Sequence, residues 1–423
     1  MGKPKVISLF SGAGGMDYGF EAAGFDTAVT LEFDHDCCET LRASRPDWSV
    51  IERSVFDVPT PELLEVGGLK RGEADLLIGG PPCQPFSKSG YWARGDARRL
   101  DDPRADTLAA YMRLVEEALP RVFVLENVTG LAFSGKDEGL RLLLEKIERI
   151  NAATKSNYKP HFQVLNAAAY GVPQMRERFV LVASRDGATF RFPAPTHVEP
   201  SSEGDLPMVG LPQYRTAWEA IGDLKPSADE DLAVRGKWAG LLPSIPEGQN
   251  YLFHTDRGGG LPLFGWRRRY WTFLLKLAKN RPSWTIQAQP GPSVGPFHWE
   301  NRRLSLRELA RIQTFPDDVQ VQGGRTSAQR QLGNAVPSLL AEVLGRAIRT
   351  QLLGLGSVRG SLKLLPAERR PIPPAEPVHP VPRPFRKLMG DHEAHPGTGK
   401  GYGAAARTKS VPELGNAEIP NAR

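Results

Sequence analysis

The chain has 423 residues, room for two or three domains. Its 40% hydrophobic and 24% charged residues exclude a wholly disordered protein, and 54 basic against 48 acidic side chains leave +6, a mild excess that favours a polyanionic partner. Three cysteines (Cys37, Cys38, Cys83) are too few for a disulfide scaffold and fit a reducing cytoplasm; without a C-x-x-C pair or an H-E-x-x-H helix no metal is expected. No membrane span or cleavable signal is expected, so the chain reads as cytoplasmic.

Residues 1–188 alternate short apolar runs with helical patterns, which predicts an α/β fold. Strands are predicted at 6–9, 28–31, 76–78, 122–125, 162–165 and 179–183. The first runs into Gly12-Ala13-Gly14-Gly15 and a short helix bearing Met16, Phe20 and Ala23 on one side, with Gly24 as its C′ residue. Leu140, Leu143, Leu144, Ile147 and Ile150 share a face of a later helix. From about 190 to 300, Pro, Gly, Trp and Arg are frequent and periodicity is poor, which predicts a second, loop-rich domain. Ser305 with Glu308 makes a capping box for a helix that Phe315-Pro316 closes. A last helix follows Pro337, with Leu340, Val343, Leu344, Ala347 and Ile348 on one face. The expected division is 1–188 with 326–352, then 189–325, then a disordered basic tail over 353–423.

Four places carry chemistry. The loop after the first strand lets a ligand approach the backbone, and Glu32, ending the second, suits ribose hydroxyls; a plain tight turn would look the same. The spacing is not the dinucleotide G-x-G-x-x-G, so a nicotinamide cofactor is not favoured. Gly79-Gly80-Pro81-Pro82-Cys83-Gln84 follows a strand's C-terminal end, where α/β enzymes place ligands, which makes Cys83 a candidate nucleophile and not a core thiol. Glu126-Asn127-Val128 ends another strand, where its carboxylate either faces the same crevice or is merely solvated. In Gln174-Met175-Arg176-Glu177-Arg178 the two arginines alternate and point to one face.

Together with Phe10-Ser11-Gly12-Ala13-Gly14-Gly15, Arg302-Arg303-Leu304-Ser305, Gln313-Thr314-Phe315-Pro316 and Gly333-Asn334, these motifs follow an order that closely resembles the DNA (cytosine-5) methyltransferase family over about residues 5–350. The resemblance implies a Rossmann-like S-adenosylmethionine-dependent methyltransferase sheet, with a loop-rich target-recognition domain at 189–325. It implies S-adenosylmethionine as cofactor, S-adenosylhomocysteine as product, and methyl transfer to carbon 5 of cytosine in double-stranded DNA. The expected setting is a monomeric modification enzyme of a restriction-modification system. By motif position, Cys83 adds to cytosine C6, Glu126 sits against N3 and the exocyclic amine, Arg176 binds O2, and Arg178 helps hold the site together. Phe10 packs on the adenosyl group, and the backbone of Ser11, Gly12, Ala13 and Gly15 cradles the methionine portion. Glu32 holds the ribose, Phe33 stacks on adenine, Asp57 binds the adenine amine, and Asn334 closes the pocket. The family often has an aromatic residue where Pro81 stands. The stretch 84–104, with Arg94, Arg98, Arg99 and Arg104, resembles the loop that closes on flipped-out DNA. The alternatives are a transfer-RNA cytosine-5 methyltransferase, whose typical Cys-Phe-Thr is absent, and a catalytically silent DNA-binding relative.

Overall fold

The structure, a computed structural model, describes residues 2–82, 106–132, 138–199, 210–265, 270–390 and 392. Cys83, the 84–104 stretch and the last residues of the expected tail lie outside the described residues.

Seven strands form the main sheet: β1 Lys5–Leu9, β2 Asp26–Glu32, β3 Val50–Glu52, β4 Leu76–Gly79, β5 Val122–Asn127, β6 Lys159–Asn166 and β8 Glu177–Ser184. Their order is β3-β2-β1-β4-β5-β8-β6. The first five strands run parallel, and β8 is antiparallel to both β5 and β6. β7 (Gln174–Met175) pairs with β9 (Ser283–Trp284) beside this sheet. All six predicted strands are present, each longer by one to four residues; β3, β7 and β9 are too short to show a period.

Side-chain alternation along the strands supplies two cores. Ile7, Leu9, Val29, Leu77 and Phe123 face one way, toward α3 (Thr60–Val66), α4 (Asp106–Ala118) and α5 (Glu138–Thr154). Val6, Leu76, Ile78, Val122 and Val182 face the other, onto Met16 and Phe20 of α1 (Gly15–Ala22) and onto Leu340, Val343, Leu344 and Ile348 of α9 (Ser338–Gln351). The apolar stripe read from the sequence therefore closes this face. Ser305 and Glu308 form the capping box of α7 (Leu306–Ile312).

A third core joins Ala13 and Tyr18 to Ile221 of α6 (Ala217–Ile221), Leu309 and Ile312 of α7, Phe315, and Leu332 of α8 (Arg325–Asn334). The segment between α7 and α8 bonds directly to α2 (His35–Ser44): Gln320 N donates to Ser44 Oγ at 3.0 Å and Gln322 N to Thr40 Oγ1 at 2.8 Å. Residues before and after position 325 thus both contact α2 and the third core. A fourth core gathers Leu241, Leu242, Tyr251, Leu274 and Phe297 around Trp238.

The expected disordered tail is corrected for residues 353–390. Leu353, Leu355, Leu362, Leu364 and Leu365 pack on the α1–α9 core. Lys363 N and Leu364 N donate to the buried Glu342 at 2.8 and 2.9 Å. Arg369 then pairs with Asp223 at 2.9 Å and Glu376 with the buried Lys279 at 2.8 Å, before Val381 and Phe385 join the fourth core. The sparse apolar residues are enough because other elements supply the surfaces that receive them. Truncation after Leu355 is therefore expected to lower the melting temperature clearly, since it removes buried Val381 and the partly buried Leu362, Leu364, Leu365 and Phe385, and full burial of one such side chain contributes about 1.5–3 kcal/mol. A melting curve identical to that of the full chain would show that the strap stabilises nothing.

Candidate active site

The loop between β1 and α1 begins at Phe10, whose φ of 55° is costly for a bulky residue and is the kind of strain that clusters at ligand sites. Gly12 also has φ of 55°, and a Cβ added there would meet no atom within 4 Å, so the backbone faces open space. Glu32 ends β2 beside it, accepting from Gly12 N at 2.8 Å and from Phe33 N and Asp34 N at 2.9 Å. Burial raises the Glu32 carboxyl above the usual range, while those backbone donors pull it down. Three bonds leave roughly one of the carboxylate's four lone-pair sites for a hydroxyl. Phe33 is 66% exposed and Phe56, beside Asp57, 55%. Ser11 Oγ lies 2.8 Å from Ser8 Oγ. Asp17, in the first turn of α1, is fully buried; burial raises its carboxyl to about 7 against the pull of the nearby Ser8 hydroxyl, and among the described residues neither oxygen has a partner of good hydrogen-bond geometry. Gly15 abuts the Val336 carbonyl, so the turn after α8, where Asn334 is exposed, flanks the loop. An open backbone cradle, exposed aromatics, a carboxylate with spare capacity and an orphaned buried acid fit a nucleoside carrying a cationic arm.

The second half of the site lies at the ends of β4 and β5. Glu126 Oε1 accepts from Arg178 Nε at 2.7 Å. A Cβ on Gly80 would lie 2.8 Å from Glu126 Oε2, so glycine lets the carboxyl lie against the turn that leads to Cys83. Asn127 Nδ2 holds Pro81 O at 3.1 Å, and Thr107 Oγ1 holds Pro82 O at 3.1 Å. Burial raises the Glu126 carboxyl, opposed first by Arg178 and then by Arg176. The other two cysteines are buried, and burial pushes the Cys38 thiol up to about 12 and Cys37 higher still. Neither is therefore suited to act as a thiolate nucleophile.

The two arginines find different partners. Arg176 is 1% exposed, and its guanidinium donates to Gly333 O and Ala335 O at 2.8 Å and to Ile286 O at 3.4 Å. Its terminal nitrogens are held by these backbone carbonyls, whereas its Nε has no hydrogen-bond partner among the described residues, so the guanidinium ties residues 286, 333 and 335 together in the interior. Arg178 instead shares the crevice with Glu126. Sequence reasoning also gave no part to two residues inside its own motifs, Gln174 and Gln313. Gln174 Nε2 donates to Gln313 Oε1 at 2.9 Å and its Oε1 accepts from Ile286 N at 3.0 Å, tying residues 174, 286 and 313 together in the interior. Their signal was polar side chains flanked by apolar ones on short segments without a period.

A mostly parallel sheet with a glycine loop and an acid at the ends of β1 and β2, and an acid–arginine pair at the end of β5, fits the α/β S-adenosylmethionine-dependent methyltransferases. The profile of the C-5 cytosine-specific DNA methylase family matches residues 4–350, and the chain belongs to that family. It is thereby a DNA (cytosine-5) methyltransferase, and membership implies S-adenosylmethionine as methyl donor. The chain is similar to the type II methyltransferase M.SacI of Streptomyces achromogenes, 43% identical over 373 residues, covering 82% of this chain and 93% of that protein. It is also similar to the type II methyltransferase M.AquIA of Picosynechococcus, 45% identical over 227 residues, 53% of this chain and 90% of that one. Among solved structures, a DNMT2 mutant of Spodoptera frugiperda shares the fold at a TM-score of 0.53 and 17% identity, over 81% of this chain and 98% of that one. Among the described residues no helix is long and apolar enough to cross a membrane.

Proposed function

We propose that the chain methylates cytosine within one specific duplex sequence, as the monomeric modification enzyme of a restriction-modification system, with 189–325 as its target-recognition region. The observation that carries this reading is the Glu126–Arg178 pair seated against Gly80 and the anchored Pro81-Pro82 turn. A cytosine inside the helix is out of reach, so the base has to be rotated into this crevice.

The Cys83 thiolate adds to C6 and forms a carbon–sulfur bond, pushing electron density toward C5. Glu126, its proton retained more readily because the site is buried, hydrogen-bonds N3 and the exocyclic amine and offsets the charge on the ring. Arg178, already aligned on Glu126, is placed to meet O2, while Arg176 holds the turn after α8 in position. When bound, S-adenosylmethionine supplies an electrophilic sulfonium methyl group. Phe10, Phe33 and Asp57 would hold its adenosyl end, the backbone from Ser11 to Gly15 its methionine end and Glu32 its ribose, with Asn334 closing the pocket. Once C5 is methylated, loss of the C5 proton restores the ring and expels the Cys83 thiolate.

The test is transfer of tritium from labelled S-adenosylmethionine to duplex DNA and to transfer RNA, followed by bisulfite sequencing of DNA from an expressing host. Methylation of transfer RNA alone would overturn the reading. Phe33→Ala is expected to weaken S-adenosylhomocysteine binding by ~5–100-fold in calorimetry, the worth of one aromatic stacked on a base. Unchanged affinity would remove Phe33 from the adenine site.

A further inference from the structure

Two tryptophans have no part in the site described so far. Trp271 is 47% exposed and Trp284 38%, and their rings meet edge to face, 5.4 Å apart at 77°. Large aromatics left in water as a fixed pair are unusual away from contact surfaces.

Both are firmly held. The buried Asn250 donates its Nδ2 to Trp271 O at 2.7 Å. Trp284 ends β9, whose preceding Ser283 is buried, and Thr285 Oγ1 donates to Met175 O at 2.7 Å. The place matters as much as the rigidity. Trp284 stands in register with Met175, and two residues later Ile286 accepts from Arg176 and donates to Gln174. Arg178, paired with Glu126, is three residues beyond Met175, about 10 Å at the usual rise of a strand. The aromatic pair is therefore joined, through the β7–β9 pairing and the Ile286 bonds, to the same short segment that carries Arg178, and exposed Arg281 lies three residues before Trp284.

The occupant follows from the substrate. A duplex that gives up one base leaves an unstacked step, and inserted or stacked large side chains offset that loss. We infer that Trp284, backed by Trp271, packs against the base step left open when the target cytosine leaves the helix. This is a positioning role that rests on the proposed cytosine crevice.

The test compares two duplexes of the methylated sequence, one intact and one with an abasic site in place of the target cytosine. Binding is measured with the full chain and S-adenosylhomocysteine. Trp284→Ala is expected to weaken binding to the intact duplex by ~10-fold, within the range for one lost aromatic–base stack, and to the abasic duplex by under about 3-fold, since the step there is already open. Trp284→Phe, which keeps a ring, is expected to restore most of the loss, and both variants are checked by thermal melting. An equal loss on both duplexes would overturn the inference, as would no loss on either, including the case in which only the oligomeric state changes. Failure of the wild-type chain to methylate the intact duplex would instead overturn the crevice reading itself.

Discussion

Replacing Cys83 with serine is expected to lower methyl transfer to duplex DNA on the order of 10⁴-fold or more, because the covalent step disappears along with its nucleophile. Binding should survive. The flanking turn is fixed by Asn127 Nδ2 on Pro81 O and Thr107 Oγ1 on Pro82 O, and neither bond involves the thiol. The glycine loop and Glu32 bond to each other independently of the turn. S-adenosylhomocysteine and DNA affinities are therefore expected within a few-fold of wild type, and denaturing gels should lose the covalent complex that the wild-type chain forms with a 5-fluorocytosine duplex. Turnover retained in Cys83→Ser would sink the covalent mechanism. The buried, protonated Cys37 and Cys38 offer no substitute thiolate.

Glu126→Gln is expected to reduce single-turnover methyl transfer by ~10²–10³-fold, the usual cost of losing one preorganised group that stabilises developing charge. Glutamine keeps an acceptor for Arg178 Nε, so the crevice should stay intact. It cannot carry the ionisable proton. Burial raises the Glu126 carboxyl, so its protonated form persists to higher pH than in water and is lost as pH climbs through the raised value. The wild-type rate should fall along that limb, and the limb should be absent from Glu126→Gln. A limb that persists in the variant would assign it to another group. The same shift has a sign for stability. A carboxyl with a higher pKa folded than unfolded binds more protons when folded, so its contribution weakens as pH rises from the unfolded value through the folded one.

Much of this molecule is written locally. The capping box of Ser305 and Glu308, the α9 stripe and the C′ position of Gly24, whose φ is 86°, depend on residues within a few positions of one another. The six predicted strands carry apolar runs bounded by turns, and the motif acids fall at strand ends because the parallel order β2-β1-β4-β5 brings those ends to one edge. Such features come from chain geometry and hydrophobic period, which a sequence displays directly.

Other features have no local signature. Arg176 and Arg178 have the same side chain and sit two residues apart, yet one is consumed by the carbonyls of residues 286, 333 and 335 and the other faces Glu126. Nothing within the motif distinguishes them; the carbonyls that claim Arg176 are more than a hundred residues away. The strap over 353–390 looks disordered because its leucines have no period, but it needs only the surfaces left open by α1, α9 and Trp238. Trp271 and Trp284 meet because Asn250 holds the first and the β7–β9 pairing the second, partners that neither residue's neighbours reveal. The sequence by itself determined the sheet, the loop, the acids and the family. Tertiary structure decided which arginine pairs with Glu126, where residues 353–390 lie and which aromatics meet, because burial and hydrogen bonding belong to the partners a side chain finds and not to its neighbours in the chain.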